Sequence, residues 1–148
     1  MNIEFYSIKS SNSSNSLNYV LLKDGKEIGS AEGYVNKGAL ISVINIFPEY
    51  QEKGVGFEVF QKILNELNEV EKIQKIRGVW CVSDEYSYCK NGMSTNLFEF
   101  LKNRETHSDI ESAFLTPTGK WMKKLGFIHA NIISVSNEEV IVDYTNKT

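Results

Sequence analysis

Residues 47–60, FPEYQEKGVGFEVF, set Gly54 and Gly56 one residue apart beside Lys53 and lead straight into an apolar-periodic run. A helix N-terminus exposes unpaired amides and about half a positive charge, so it attracts anions. Glycines at 54 and 56 remove side chains that would hold a phosphate away from those amides. Lys53 adds charge nearby, and Gln51 brings a hydrogen-bond donor. These residues suit a pyrophosphate seat, although a tight strand-to-helix connection accounts for them without a ligand. The dinucleotide fingerprint requires a third glycine at position 59, which is Val59. A P-loop around TGKW (118–121) fails as well, because Phe114 and Trp121 stand where glycine and Ser/Thr are needed.

The other reactive side chains have no such context. Cys81 lies beside Trp80 and Val82 in a strand-like apolar run and reads as a buried structural thiol. Cys89 has no histidine near it in sequence to activate it. His129 falls in an apolar strand pattern, where it packs or bonds locally, and His107 in a polar stretch, where nothing constrains it. Two cysteines and two distant histidines make neither a disulfide framework nor a metal set, so no metal is expected. Trp121, next to Met122, reads as core or as the border of a ligand. Asn12 and Asn146 begin Asn-x-Ser/Thr sequons, which carry no meaning in a reduced cytoplasmic protein.

With 148 residues the chain is expected to form a single domain over 1–148, large enough for a core without disulfides. Net charge is −3 and no basic block occurs, which argues against a nucleic-acid surface. No run approaches the roughly 18 apolar residues of a membrane span. The start, MNIEFYSIKSS, lacks the basic and apolar regions of a signal peptide, so a cytoplasmic location is expected. The composition is compatible with a homodimer.

Elements that would position the glycine turn can be read along the chain. IEFYSI (3–8) forms a short strand, and KSSNSSNS (9–16) a polar loop. LNYVLLK and KEIGSAEGYV flank Asp24-Gly25, a two-residue hairpin signal, and a turn at Asn36-Lys37-Gly38 leads into ALISVINIF, giving a three-stranded meander. From Phe57 the spacing of Phe57, Phe60, Ile63, Leu64, Leu67 and Val70 predicts an amphipathic helix. IRGVWCV (76–82) follows as a buried strand, and the strand–helix–strand order favours a right-handed crossover with a parallel pair. Leu97, Phe98 and Leu101 suit a short helix after Ser94 or Thr95, and NRETHSDIES (103–112) reads as a mobile polar connection. Thr116-Pro117 starts a further helix that Gly126 ends, and FIHANIISV with EVIVDY, joined around Ser136-Asn137, forms a closing hairpin.

The stretch NIFPEYQEKGVGFEVFQKIL resembles the coenzyme-binding motif of the GNAT superfamily of acyl-CoA-dependent N-acetyltransferases, Gln/Arg-x-x-Gly-x-Gly/Ala between a strand and a helix. Pro48, Glu49, Tyr50, Gln51, Gly54 and Gly56 carry the likeness, and WMKKLGF resembles the family's later helix-to-strand junction. The element order is similar from Leu17 to Tyr144. The resemblance implies an α/β fold: a central mixed, mostly antiparallel sheet, flanked by helices, with one splayed parallel strand pair. It also implies transfer of an acetyl or small acyl group from acetyl-CoA to an amine, by direct attack in a ternary complex. The strand before the loop would be bulged, with Ile44 N–H holding the thioester carbonyl and Ile46 N–H the pantetheine arm. The backbone of Gln51, Glu52, Lys53, Gly54, Val55 and Gly56 would hold the pyrophosphate. A preorganised amide on the oxyanion contributes roughly 3–4 kcal/mol in acyl transfer.

The chain departs from the family at three positions. Met122 stands where a tyrosine usually protonates the departing thiolate, Leu115 where an asparagine is usual, and Leu40 where some members carry a glutamate base. Glu32, Asp84, Glu85, Tyr86 and Tyr88 are candidates for the missing groups, though residues of these types are more often solvated or packed than catalytic. The helices that usually wall the acceptor site are replaced by KSSNSSNS, and the long 83–115 segment is expected to help build that pocket instead. Two other readings stay open: a coenzyme-binding or regulatory module that has lost catalysis, and a modifier of proteins or aminoacyl substrates. If the acid position is dispensable, Met122→Tyr is tolerated. If Tyr86 or Tyr88 is the proton donor, its replacement by Phe lowers kcat roughly 10²–10⁴-fold in a steady-state assay; unchanged turnover in both variants removes both tyrosines from the mechanism.

Overall fold

The computed structural model describes residues 2–8, 15–51, 53–82 and 93–146. They fall into two compact units, Met1–Ile73 and Gln74–Thr148. No described helix is long and apolar enough to cross a membrane.

The first unit is an antiparallel meander, β1 (Glu4–Ser7), β2 (Ser16–Lys23), β3 (Lys26–Asn36) and β4 (Ala39–Ile46), followed by helix α1 (Val55–Val70). Asp24 and Gly25 both take positive φ (52° and 79°), as do Lys37 and Gly38 (53° and 78°), so both hairpins close through two-residue turns whose twist matches that of the strands. β1 adds a fourth strand, paired with β2 from Glu4↔Leu22 to Ser7↔Tyr19.

α1 begins at Val55, two residues before the first apolar position of the expected stripe. Its buried face is Val55, Val59, Phe60, Ile63 and Leu67, while Val70, expected in the stripe, is 51% exposed. The four-residue spacing of Val55, Val59, Ile63 and Leu67 defines the buried face, and Val70, the last residue of the helix, falls beyond it. Gly33 of β3 lies beneath this helix: a Cβ there would come within 2.7 Å of Ile63 Cγ2, so only glycine lets α1 settle this close to the sheet. At the edges of the packing, Tyr19 donates to Glu66 at 2.6 Å, and the Lys62 ammonium pairs with Glu66 at 2.7 Å and lies over the Phe5 ring. Burial and the Glu66 carboxylate both push the Tyr19 phenol well above its ordinary range.

The second unit holds β5 (Lys75–Cys81), α2 (Thr95–Asn103), α3 (Asp109–Phe114), α4 (Pro117–Lys124) and a hairpin of β6 (His129–Val135) and β7 (Glu139–Thr145), in strand order β5-β7-β6. The polar stretch 103–112, expected to be a mobile connection, is ordered instead. Ser108 and Glu111 form a reciprocal capping box that starts α3, and Arg104 pairs with Asp109 at 3.2 Å. The apolar stripe is too short to announce this helix; side-chain caps supply the missing order. His107, expected to be unconstrained, hydrogen-bonds at its Nδ1 with Thr106 and the Asn103 carbonyl. Ser94 caps α2 and Thr116 caps α4, with proline in the first turn of α4. Tyr144 is fully buried and donates to the Ala113 carbonyl at 2.6 Å, tying β7 to α3.

Asp143, 5% exposed on β7, accepts two hydrogen bonds from Arg77 of β5 at 2.7 and 2.9 Å and lies 3.5 Å from the Lys75 ammonium. The Arg77 hydrogen bonds hold its carboxyl below the usual range, against the opposing effect of burial. A folded pKa below the unfolded value of about 3.9 stabilises the protein above that pH, and the contribution is lost as pH falls through the folded pKa. Asp143→Asn is therefore expected to lower stability by about 1–3 kcal/mol at pH 7, the arginine being partly solvated. In denaturant titrations this deficit should shrink below about pH 4; a pH-independent deficit contradicts it.

Candidate functional site

The exit from β4 is built by hydrogen bonds that run both ways along one short turn. β4 pairs with β3 in unbroken register from Asn36↔Ala39 to Gly29↔Ile46, and Phe47 N–H continues the ladder to the Ile28 carbonyl at 2.8 Å. Since antiparallel residues alternate in the direction of their peptide groups, the odd residues of β4 face β3. Ile44 and Ile46 therefore turn N–H and C=O to the side of β4 away from β3. No bulge interrupts the β3–β4 ladder; among the described residues the irregularities lie at Leu21/Leu22, opposite the extra residue Ile28, and at Ile132/Ser134 in β6. Alternation alone turns these two amides outward.

After β4 the chain makes a 3-10 turn over Pro48–Tyr50. The Gln51 side chain reaches back and donates to the Ile46 carbonyl at 2.7 Å, while its backbone N–H donates to Pro48 at 3.2 Å. The Gln51 backbone N–H, expected to hold the pyrophosphate, is thus used inside the loop, and with one side-chain N–H it fixes the loop's path. Gly54 is the N-cap of α1, left-handed at φ 80°, with nothing within 4 Å of where a Cβ would lie. α2, α3 and α4 are capped by hydroxyls of Ser94, Ser108 and Thr116, whereas the N-cap of α1 has no side chain to offer its first-turn amides. Lys53 is exposed beside it; Val55 is buried and Gly56 half-buried, both inside the first turn of α1. Glu52 lies outside the described residues.

Ile44, Ile46, Gln51, Lys53, Gly54, Val55 and Gly56 thus lie along one continuous strand–turn–helix segment. Glu32 sits on β3 opposite Val43 and is exposed. Asp84, Glu85, Tyr86, Tyr88 and Cys89 are outside the described residues. Cys81, expected to be buried, is half-buried at the end of β5, with its thiol 3.5 Å from Glu139 Oε2. Trp121 is half-buried and His129 half-buried on β6. The donor role of Gln51 within the loop went unread in the sequence, because a side chain returning five residues to a strand carbonyl leaves no periodic signal.

Met122 is fully buried on the inner side of α4, and Leu115 is half-buried after α3. The Leu40 side chain is also fully buried. Apolar residues at these three positions therefore agree with their surroundings, and the position of Met122 reaches no open surface.

No family model and no curated protein matches the sequence. Solved structures do match. The chain is similar to an acetyltransferase of the GNAT family from Streptococcus pneumoniae at 12% identity and TM-score 0.53, covering 93% of this chain and 70% of that one. It is similar to a GCN5-related N-acetyltransferase from Kribbella flavida at 15% identity and TM-score 0.52, covering 90% and 68%. It is also similar to the PaiA N-acetyltransferase from Thermoplasma acidophilum, solved with coenzyme A, at 12% identity and TM-score 0.51. That match covers 88% of this chain and 61% of PaiA, so the chain spans less than two thirds of PaiA's length.

The burial of Met122 reverses the expectation that tyrosine is tolerated there. Met122→Tyr adds ring volume and a hydroxyl to a packed site and is expected to cost about 1–3 kcal/mol in denaturant unfolding. An unchanged midpoint would show that α4 can open to accept it.

Proposed function

From the premise that this chain has the fold of the GNAT acetyltransferases, we propose that it binds acetyl-CoA and transfers the acetyl group to a primary amine. The observation that carries this reading is the α1 entry: an uncapped helix N-terminus behind a left-handed glycine with open space at its Cβ, held by Gln51. The pyrophosphate would lie on the amides of residues 53–56, with Lys53 adding charge and Gln51 positioning the turn. Ile46 N–H would guide the pantetheine arm and Ile44 N–H would polarise the thioester carbonyl.

In that reaction the amine nitrogen attacks the carbonyl carbon, the resulting oxyanion rests on the Ile44 amide, and the C–S bond breaks to release CoA thiolate. The amine proton passes to water or to Glu32. A thiolate is a good enough leaving group that the acid missing at Met122 need not be replaced, and Tyr86 and Tyr88 remain candidates for a donor.

The reading is tested at Gly54. Gly54→Glu sets a carboxylate at the phosphate position and strains the left-handed backbone, so calorimetry should find acetyl-CoA affinity reduced roughly 100-fold or more. Gly56→Glu should act in the same direction. Gly54→Asn, which tolerates positive φ, should stay within about tenfold of the parent. Equal affinity in all of these proteins ends the coenzyme reading. Binding without thiol release for any of a panel of amines, polyamines and peptides would leave the non-catalytic coenzyme-binding module in its place.

A further inference from the structure

The sheet of the first unit has two different faces. Ala31, Gly33 and Val35 of β3 point under α1, whereas Glu32 and Tyr34 point to the opposite side. Among the described residues of this unit no helix covers that second side. The register aligns two rows across three strands there, Asn18–Glu32–Val43 and Ser16–Tyr34–Ile41. Between these rows lies a shallow pocket of about 150 Å³ whose lining includes Asn18, Glu32, Tyr34, Ile41 and Val43.

Its chemistry is one-sided. Among the described residues no lysine or arginine lines it and Glu32 makes no ion pair. An ionised carboxylate only accepts hydrogen bonds, so it asks for a donor, and the flanking Tyr34 ring favours a cation. Ile41 and Val43 supply an apolar wall for a short methylene chain. At about 30 Å³ per liquid water, the volume holds roughly five waters, the size of an amine head and a few carbons. Val43 is also the residue immediately before Ile44, one Cα step of about 3.8 Å away.

We propose that this pocket binds a small primary alkylammonium ion and is the acceptor subsite, the acceptor half of the statement resting on the acyl-transfer reading. An amine held against Glu32 with its stem along Val43 lies beside the strand position whose amide would hold the thioester. The carboxylate orients the cation; one ammonium proton passes to water, the neutral amine attacks, and the proton left on nitrogen after attack passes to water or to Glu32.

The test uses n-pentylamine, pentan-1-ol and pentanoate as probes of the full chain without acetyl-CoA, followed by amide chemical shifts. Pentylamine is expected to shift residues 16–18, 32–34 and 41–43 and to bind about fivefold or more tightly than pentan-1-ol, with pentanoate weakest. Glu32→Gln should bring pentylamine to the level of the alcohol, and Ile41→Trp, which fills the pocket, should abolish binding of both. Equal binding of amine and alcohol, or no effect of Glu32→Gln, overturns the cation site whatever the fate of the coenzyme reading. Given turnover, Glu32→Gln should raise the KM for pentylamine about fivefold. An unchanged KM removes the acceptor role and leaves the transferase standing, whereas pentylamine binding with no affinity for acetyl-CoA keeps the cation site and removes the transferase.

Discussion

The hydrogen bond from the Gln51 side chain to the Ile46 carbonyl closes the turn on which the candidate site depends. Ile46 turns its carbonyl away from β3 because the ladder alternates, so that oxygen has no partner in the meander. Gln51 satisfies it from five residues downstream and so sets where the chain re-enters as α1. With this point fixed, the 3-10 turn at Pro48–Tyr50 and the left-handed Gly54 are enough to launch the helix with its first amides uncapped. The open N-terminus and the outward amides of β4 thus follow from one local arrangement.

That arrangement stays in place because α1 is anchored below it. Val55 and Val59 are buried within the first turn and a half, and Ile63 seats where Gly33 offers no side chain. Burial of apolar side chains, each contributing about 1.5–3 kcal/mol, fixes the helix, while its exposed start is left without an intramolecular partner from its N-cap residue. The same alternation that loads one side of β3 with buried residues delivers Glu32 and Tyr34 to the other. A single strand therefore supplies both the floor beneath α1 and the polar face of the pocket.

The second unit solves its packing by different means. Three short helices, none long enough to be stable alone, each begin at a hydroxyl cap, and Tyr144 pins α3 to β7 through the Ala113 carbonyl. Asp143, nearly buried, is kept charged by Arg77 and Lys75 on the neighbouring strand. Met122 belongs to this packed interior, which explains why a side chain with no proton to give occupies its position.

Much of this was legible in the chain itself. Asp24-Gly25 and Lys37-Gly38 demanded positive φ and hence the hairpins; Thr116-Pro117 and Gly126 bounded α4; the pair Gly54 and Gly56 marked the strand-to-helix turn. These signals are local, since each depends on what one or two residues permit the backbone to do. The start of α1 and the burial of Met122 were decided by tertiary contacts instead, whereas the order of residues 103–112 rests on a capping box and an ion pair between residues close in sequence. Val55 became helical because it had a surface to pack on, and Ser108 and Glu111 cap a helix whose stripe is too short to be seen alone. The outward direction of the Ile44 and Ile46 amides and the meeting of Asn18, Glu32 and Val43 needed the strand register. Register is a relation between segments far apart in sequence, so residue types and spacing along one strand do not contain it.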